Sequence, residues 1–332
     1  MIKRLKLPPD VFAVVMATGI IAIAARDQGY ETIDVPLTAL AVIALIALAL
    51  LATRQLLIDP GHAACGARSP DVVLSAFTFV AACTVMGSRL SKHHIAVVIL
   101  AAAATLGWLI LTPLVIRDVR SRPLVQLREH AHGGWLLPSV ATAGLAITAA
   151  DLAAHHTWAG WIILACAAWL LAILLHFAIA ALILARAIST HLTPKEMSPD
   201  SWILMGSIAI NALAGTTIIA TATTSSHWLL PTARVVTLVA WVLASAWVPL
   251  LLYAELWSVD HRRGGMHFGK VWWSAVFPLG MYATTTQAVA SALSISTLHT
   301  VALVFFWDSF AVWILVALGL IQWLSGAFKA ST

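Results

Sequence analysis

A chain of 332 residues in which 61% are hydrophobic and 10% charged, with a mean hydropathy of +0.93, lies far from the half-apolar, quarter-charged mix of soluble domains. That excludes a water-soluble fold. The formal net charge of +5 is dispersed among short connections, which argues against a nucleic-acid-binding surface.

Ten largely uncharged stretches follow in chain order, each close to the roughly 20 residues that carry a helix across hydrocarbon. The first, 10–25, follows Lys3, Arg4 and Lys6, as a signal peptide would. No small-residue cleavage site precedes Arg26 and Asp27, so it reads as a retained helix, and it carries Thr18 and Gly19. The second, 36–53, is a smooth Leu/Ile/Ala run, whereas the third, 71–88, holds Thr78, Thr84, Gly87 and Ser88. The fourth, 95–116, is smooth again, and the fifth, 134–150, contains Pro138, Ser139, Thr142 and Gly144. The sixth, 158–186, is apolar apart from His176 deep within it. The seventh, 200–222, holds Gly206, Ser207, Asn211, Gly215, Thr216 and Thr217, and the eighth, 232–257, is smooth. The ninth, 271–288, interrupts an apolar run with Pro278, Gly280 and Thr284 to Thr286, and the tenth, 298–323, contains Asp308. No long soluble segment is left over, so residues 1–332 read as one transmembrane domain.

Odd stretches thus concentrate backbone breakers and hydroxyls, and even ones are mostly smoother. Prolines precede or enter the odd stretches at Pro8–Pro9, Pro70, Pro138, Pro199 and Pro278, a helical-hairpin repeat of about 60 to 80 residues. Gly, Pro and hydroxyls are tolerated in a membrane helix where protein or water meets their polar groups, so the odd helices belong inside and the even ones in an outer jacket. The expectation is an all-α polytopic membrane protein, five helical hairpins around a central path. Tight packing of small residues without any path is the alternative.

Lysine and arginine collect on one side. Of the nineteen, only Arg26, Arg89, Lys92 and Arg234 fall in connections that follow odd stretches. Positive charge marks the cytoplasmic side, so both termini are expected there. The alanine-rich composition suits a bacterial inner (plasma) membrane.

Within the ninth stretch, Phe277, Gly280, Met281 and Thr284 fall at i, i+3, i+4 and i+7 and share a face. Pro278 removes a backbone donor beside the ring of Phe277. On a path of small residues that ring is a candidate plug, and its positive edge tolerates an anion. By helical position and polarity, the path-lining candidates are Thr18, Gly19, Thr84, Pro138, Ser139, Thr142, Asn211, Pro278, Gly280 and Thr284.

Two segments, PPDVFAVVMATGI from Pro8 to Ile20 and VWWSAVFPLGMYATTT from Val271 to Thr286, resemble the tellurite-resistance/dicarboxylate transporter family, which includes the plant slow-type anion channels and the fungal malate permeases. The resemblance implies five hairpins around a pore, a homotrimer with one pore per subunit, and an obstructing phenylalanine on the ninth helix, here Phe277. It implies small-anion transport, with wording closest to the malate and C4-dicarboxylate branch; chloride or nitrate channels and tellurite-resistance exporters are the other branches.

Intramembrane charge costs roughly 2.5 to 3.5 kcal/mol, so Asp308 and His176 need an explanation, either a proton relay or structural hydrogen bonds. Arg89, Lys92 and Arg234 on one side, and Arg117 to Arg128, Arg262, Arg263 and Lys270 on the other, form rims that attract anions or simply set topology. No metalloprotease, paired-aspartate or Gly-x-Ser-x-Gly motif occurs, and His130, His132, His155 and His156 sit in connections without a matching acidic set. Neither catalysis nor a metal or other cofactor is expected. Cys65, Cys83 and Cys166 lack metal spacing and read as buried small side chains.

Overall fold

The computed structural model describes residues 7–61, 66, 69–155, 160–189, 198–222, 224–261 and 272–329. Lys3, Arg4, Lys6, Cys65, His156, Arg262, Arg263 and Lys270 lie outside them, as does the side chain of His155. The described residues form helices without strands: α1 (Ala13–Asp27), α2 (Glu31–Ile58), α3 (Pro70–Arg89), α4 (His94–Arg120), α5 (Leu124–His130), α6 (Leu137–His155), α7 (Gly160–Ser189), α8 (Ile203–Thr221), α9 (Leu230–His261), α10 (Trp273–Leu293) and α11 (Thr297–Lys329). This is an all-α polytopic membrane protein. Eight segments of the described chain are long and apolar enough to cross a membrane. The 15-residue α1, and α10 with its proline and three threonines, are instead enclosed by the rest. The short α5 was not anticipated, because the seven residues LVQLREH are too few for a periodic signal.

The inner helices close on themselves. α1 packs on α3, α3 on α6, α6 on α8, α8 on α10, and α10 returns to α1. Each outer helix packs on its own hairpin partner and also on the next inner helix: α2 on α1 and α3, α4 on α3 and α6, α7 on α6 and α8, α9 on α8 and α10, α11 on α10 and α1. Burial separates the two layers. The spans containing α3, α6 and α8 are 67%, 83% and 78% buried, against 6% to 22% for the outer five, so the smooth helices carry most of the outward surface.

The same next-neighbour rule governs the polar bonds between layers. Trp108 of α4 donates its indole N–H to Thr142 Oγ1 of α6 at 2.9 Å, and Trp169 of α7 donates to the Asn211 carbonyl of α8 at 2.7 Å. Trp241 of α9 reaches Thr286 Oγ1 of α10, and Trp313 of α11 reaches Thr18 Oγ1 of α1, each at 3.1 Å. The fifth link is ionic. Arg89 of α3 grips Asp34 of α2 through Nε at 2.7 Å and Nη2 at 2.6 Å.

Local signals set the ends. Pro70 opens α3, where its missing N–H has no helical partner to lose, and Asp71 follows in the first turn, favoured by the helix dipole. Gly29 takes φ 78° to turn α1 into α2, and Ser294 takes φ 58° to end α10 with Ile295 N donating to the Ala290 carbonyl at 3.0 Å. The inner helices, 15 to 21 residues, are shorter than the 27- to 33-residue outer ones, so the ring is recessed at both faces.

Candidate functional site

The recesses are two cavities on the ring axis. The first, of about 480 Å³, takes walls from all five inner helices: Met16, Thr78, Leu137, Leu204 and Phe277. The second, of about 450 Å³ at the opposite face, does the same with Ile23, Ser88, Ile147, Leu213 and Thr284. Between them the axis is filled. Phe277 and Thr284 are two turns apart, so the closed segment spans ~10 Å along α10. Phe277, Met281 and Thr284 are exposed by 3%, 1% and 3%, and the two cavities share no lining residue.

Two buried polar atoms near this segment have no hydrogen-bond partner in the protein, Thr284 Oγ1 and Asn211 Oδ1. Each such atom costs about 1 to 3 kcal/mol in a dry interior. The Asn211 amide is otherwise spent on its own helix, with Nδ2 donating to the Ser207 carbonyl at 2.7 Å.

The remaining candidates face other helices. Thr18 donates to the Val14 carbonyl and accepts from Trp313, Thr84 donates to Ala81, and Thr142 donates to the Pro138 carbonyl while accepting from Trp108. Ser139 donates to the Ala172 carbonyl of α7 at 2.8 Å. Gly19 lies against Met86 and Val85 of α3, and Gly280 against Ile20 and Ile21 of α1. Pro278 packs on Gly206 of α8, and Pro138 borders a lateral groove at the outer layer. Among the candidates, Phe277 and Thr284 are the two that border the axial cavities.

His176 is 2% exposed, and its Nδ1 lies 3.1 Å from Ser207 Oγ, which reaches Ser139 Oγ at 3.1 Å. That chain ties α7, α8 and α6 together. Asp308 is on the exposed face of α11, a helix packed on α10 and α1, whereas the α7 of His176 packs on α6 and α8. The two groups belong to different sides of the ring. Of the predicted rim, Arg89 is taken up by Asp34, and the cation bordering the second cavity is Arg26, with Asp27 3.6 Å from it and Asp151 also in the wall.

The mouth of the first cavity corrects the expectation that His132 has no acidic partners. Its Nδ1 is 2.6 Å from Asp200 Oδ2 and its Nε2 is 3.7 Å from Asp71 Oδ1. Gly134 N also donates to Asp200 Oδ2 at 3.0 Å, and Trp135 donates to Asp71 Oδ1 at 3.1 Å. The leads into α6 and α8 are thereby joined to the first turn of α3. Gly133 is required here, because a Cβ would overlap the Asp200 carbonyl. A signal existed in the chain: Ser-Pro-Asp stands at 69–71 and again at 198–200, with Pro-Pro-Asp at 8–10. These place Asp71, Asp200 and Asp10 at the starts of three odd helices.

Burial opposes charge on His132, but the hydrogen bond and negative charge of Asp200, helped by Asp71, outweigh it and hold the pKa above the ordinary 6.5. The sign follows: the charged clasp is complete below pH 6.5 and is lost as pH rises through the elevated value. Thermal unfolding of the detergent-solubilised protein is expected to show wild type losing its advantage over His132→Gln as pH rises above neutrality. An advantage that does not change with pH removes the charged clasp.

A family profile described as voltage-dependent anion channel matches residues 6–321. An uncharacterized membrane protein of Mycobacterium tuberculosis is 27% identical over 160 residues, covering 47% of this chain and 80% of that one. An uncharacterized transporter of Methanocaldococcus jannaschii is 23% identical over 192 residues, covering 56% of this chain and 54% of that one.

Proposed function

Because the chain belongs to the voltage-dependent anion channel family, a family of membrane proteins for anion transport, we propose that its ring axis is the anion path and that Phe277 is the gate. The observation that carries this reading is the pair of axial cavities, each walled by all five inner helices and separated by a dry segment with Phe277 at one end and Thr284 at the other. The unpartnered Thr284 hydroxyl and Asn211 amide oxygen support it, since opening and wetting of the segment relieves their cost.

C4-dicarboxylates such as malate are the proposed substrates. Among the described residues bordering either cavity, none supplies a central lysine or arginine; the cations are Arg186 and the protonated His132 at the first mouth and Arg26 at the second. A small anion is then held by hydroxyl and backbone dipoles, weakly enough to leave quickly. That same weakness favours chloride or nitrate as the second reading. Uptake of labelled malate into proteoliposomes, beside chloride and nitrate currents and with or without a pH gradient, decides between them. No flux of any of these anions sinks the transport path.

The orientation proposed is cytoplasmic for both termini, with the arginine-rich connection 117–128 on the same side, in a bacterial plasma membrane. Assembly is proposed to be a homotrimer. Asp308 supports it: the residue is exposed on α11 eleven residues beyond the first, ~16 Å along the helix, a depth where facing lipid is costly. A neighbouring subunit would cover it. Asp308→Lys is expected to convert a three-chain particle into single chains by light scattering in mild detergent. A three-chain mass that survives the substitution removes Asp308 from the contact.

A further inference from the structure

The gap between α4 and α7 is open along most of its length. Both helices pack on α6, and two grooves occupy the gap above it. One, of about 770 Å³, has walls of alanine, leucine and tryptophan from α4, α6 and α7 and includes Thr142 and Leu171. The other, of about 220 Å³, includes Pro138 and Leu175, each one helical turn from its counterpart in the first. Together they form a trench that begins at the arginine-rich face and runs toward the opposite one.

The near end of the trench changes character. Asp118 and Arg122 stand at its rim with Leu74, Val115 and Leu127 behind them. Arg117, Arg120, Arg122 and Arg128 crowd this end, set against Asp118 and Glu129, an excess of two positive charges. Asp118 Oδ1 is held by Arg117 at 3.2 Å, so its charge is partly answered within the helix, while its Oδ2 is buried without a hydrogen-bond partner. Beside them α5 presents Leu124 and Val125, 69% and 55% exposed, the pattern of a segment lying in the headgroup boundary with its apolar side chains in acyl chains.

We propose that this trench binds an anionic phospholipid of the leaflet on the arginine-rich side, its acyl chain in the groove and its phosphate at Arg122, the arginine that lines the near groove. An apolar slot that opens onto clustered arginines at the membrane surface is complementary to that amphiphile. The site lies in the outer layer, away from the ring axis, and does not depend on the anion path.

The test is lipid retention by native mass spectrometry, with the full chain offered equal amounts of dioleoyl phosphatidylglycerol and dioleoyl phosphatidylcholine. Preferential retention of phosphatidylglycerol is expected. Arg122→Gln is expected to weaken it about fivefold without changing phosphatidylcholine. Ala178→Trp, which fills the near groove from an exposed position, is expected to lower retention of both lipids while the arginines remain. Glycerol 1-phosphate in millimolar excess is expected not to displace the lipid, which separates a lipid site from a phosphate site. Equal retention of the two lipids, retention indifferent to Arg122→Gln or to Ala178→Trp, displacement by glycerol 1-phosphate, or an oligomer that dissociates on Ala178→Trp overturns the proposal.

Discussion

Replacing Phe277 by alanine is expected to raise anion flux through proteoliposomes by tenfold or more at unchanged protein density. The ring stands at the floor of the first cavity, 3% exposed, and Thr284 stands two turns further at the floor of the second. An anion must shed water to cross the ~10 Å between them. Removing the benzyl group lengthens the wet part of the path from one side, and each ~1.4 kcal/mol taken from the barrier is worth a factor of ten. Phe277→Leu, which keeps bulk without the ring, is expected to fall between the two. The alanine change also costs stability, toward the lower end of the roughly 3 to 5 kcal/mol typical of buried phenylalanine, because the side chain already borders a cavity. A folded Phe277→Ala protein with wild-type flux would show that the ring is packing and not a gate.

Arg89→Met is expected to destabilise the fold by about 3 to 5 kcal/mol, the largest loss among the polar links between layers. Arg89 and Asp34 form a two-bond ion pair with side chains 15% and 6% exposed, and Thr38 adds a hydrogen bond to Asp34 at 3.1 Å. Removing the cation leaves a buried carboxylate with one hydroxyl partner. Combining Arg89→Met with Asp34→Leu removes the stranded charge as well, and most of the loss is expected to return. Thermal unfolding of the two single variants and the double variant forms a cycle that isolates the pair's coupling. Additive losses in the cycle would show that the pair contributes through packing alone.

Hydropathy and the odd–even alternation were sufficient for the long helices, their order and the two layers, because those follow from where water and lipid are admitted. The segment around Phe277 was legible for a related reason: Phe277 and Thr284 share one helical face, and a face is a property of local periodicity. The direction of the other polar groups was not legible. Inner helices are covered on every side, so no face is marked by polarity, and a hydroxyl near a helical carbonyl can be satisfied at any azimuth.

Thr18 and Thr142 therefore read as path-lining or buried residues with equal ease until their partners are known. The structure turns them to Trp313 and Trp108 of the outer layer. His132 was invisible as a clasp because Asp71 and Asp200 are 61 and 68 residues away, and only ring closure brings three helix starts together. The amino-acid sequence alone thus determined what each helix is and which layer it enters, a matter of transfer free energy summed along the chain. Which side chain meets which was decided by the tertiary structure, since contact between helices depends on rotation and register that local pattern does not encode.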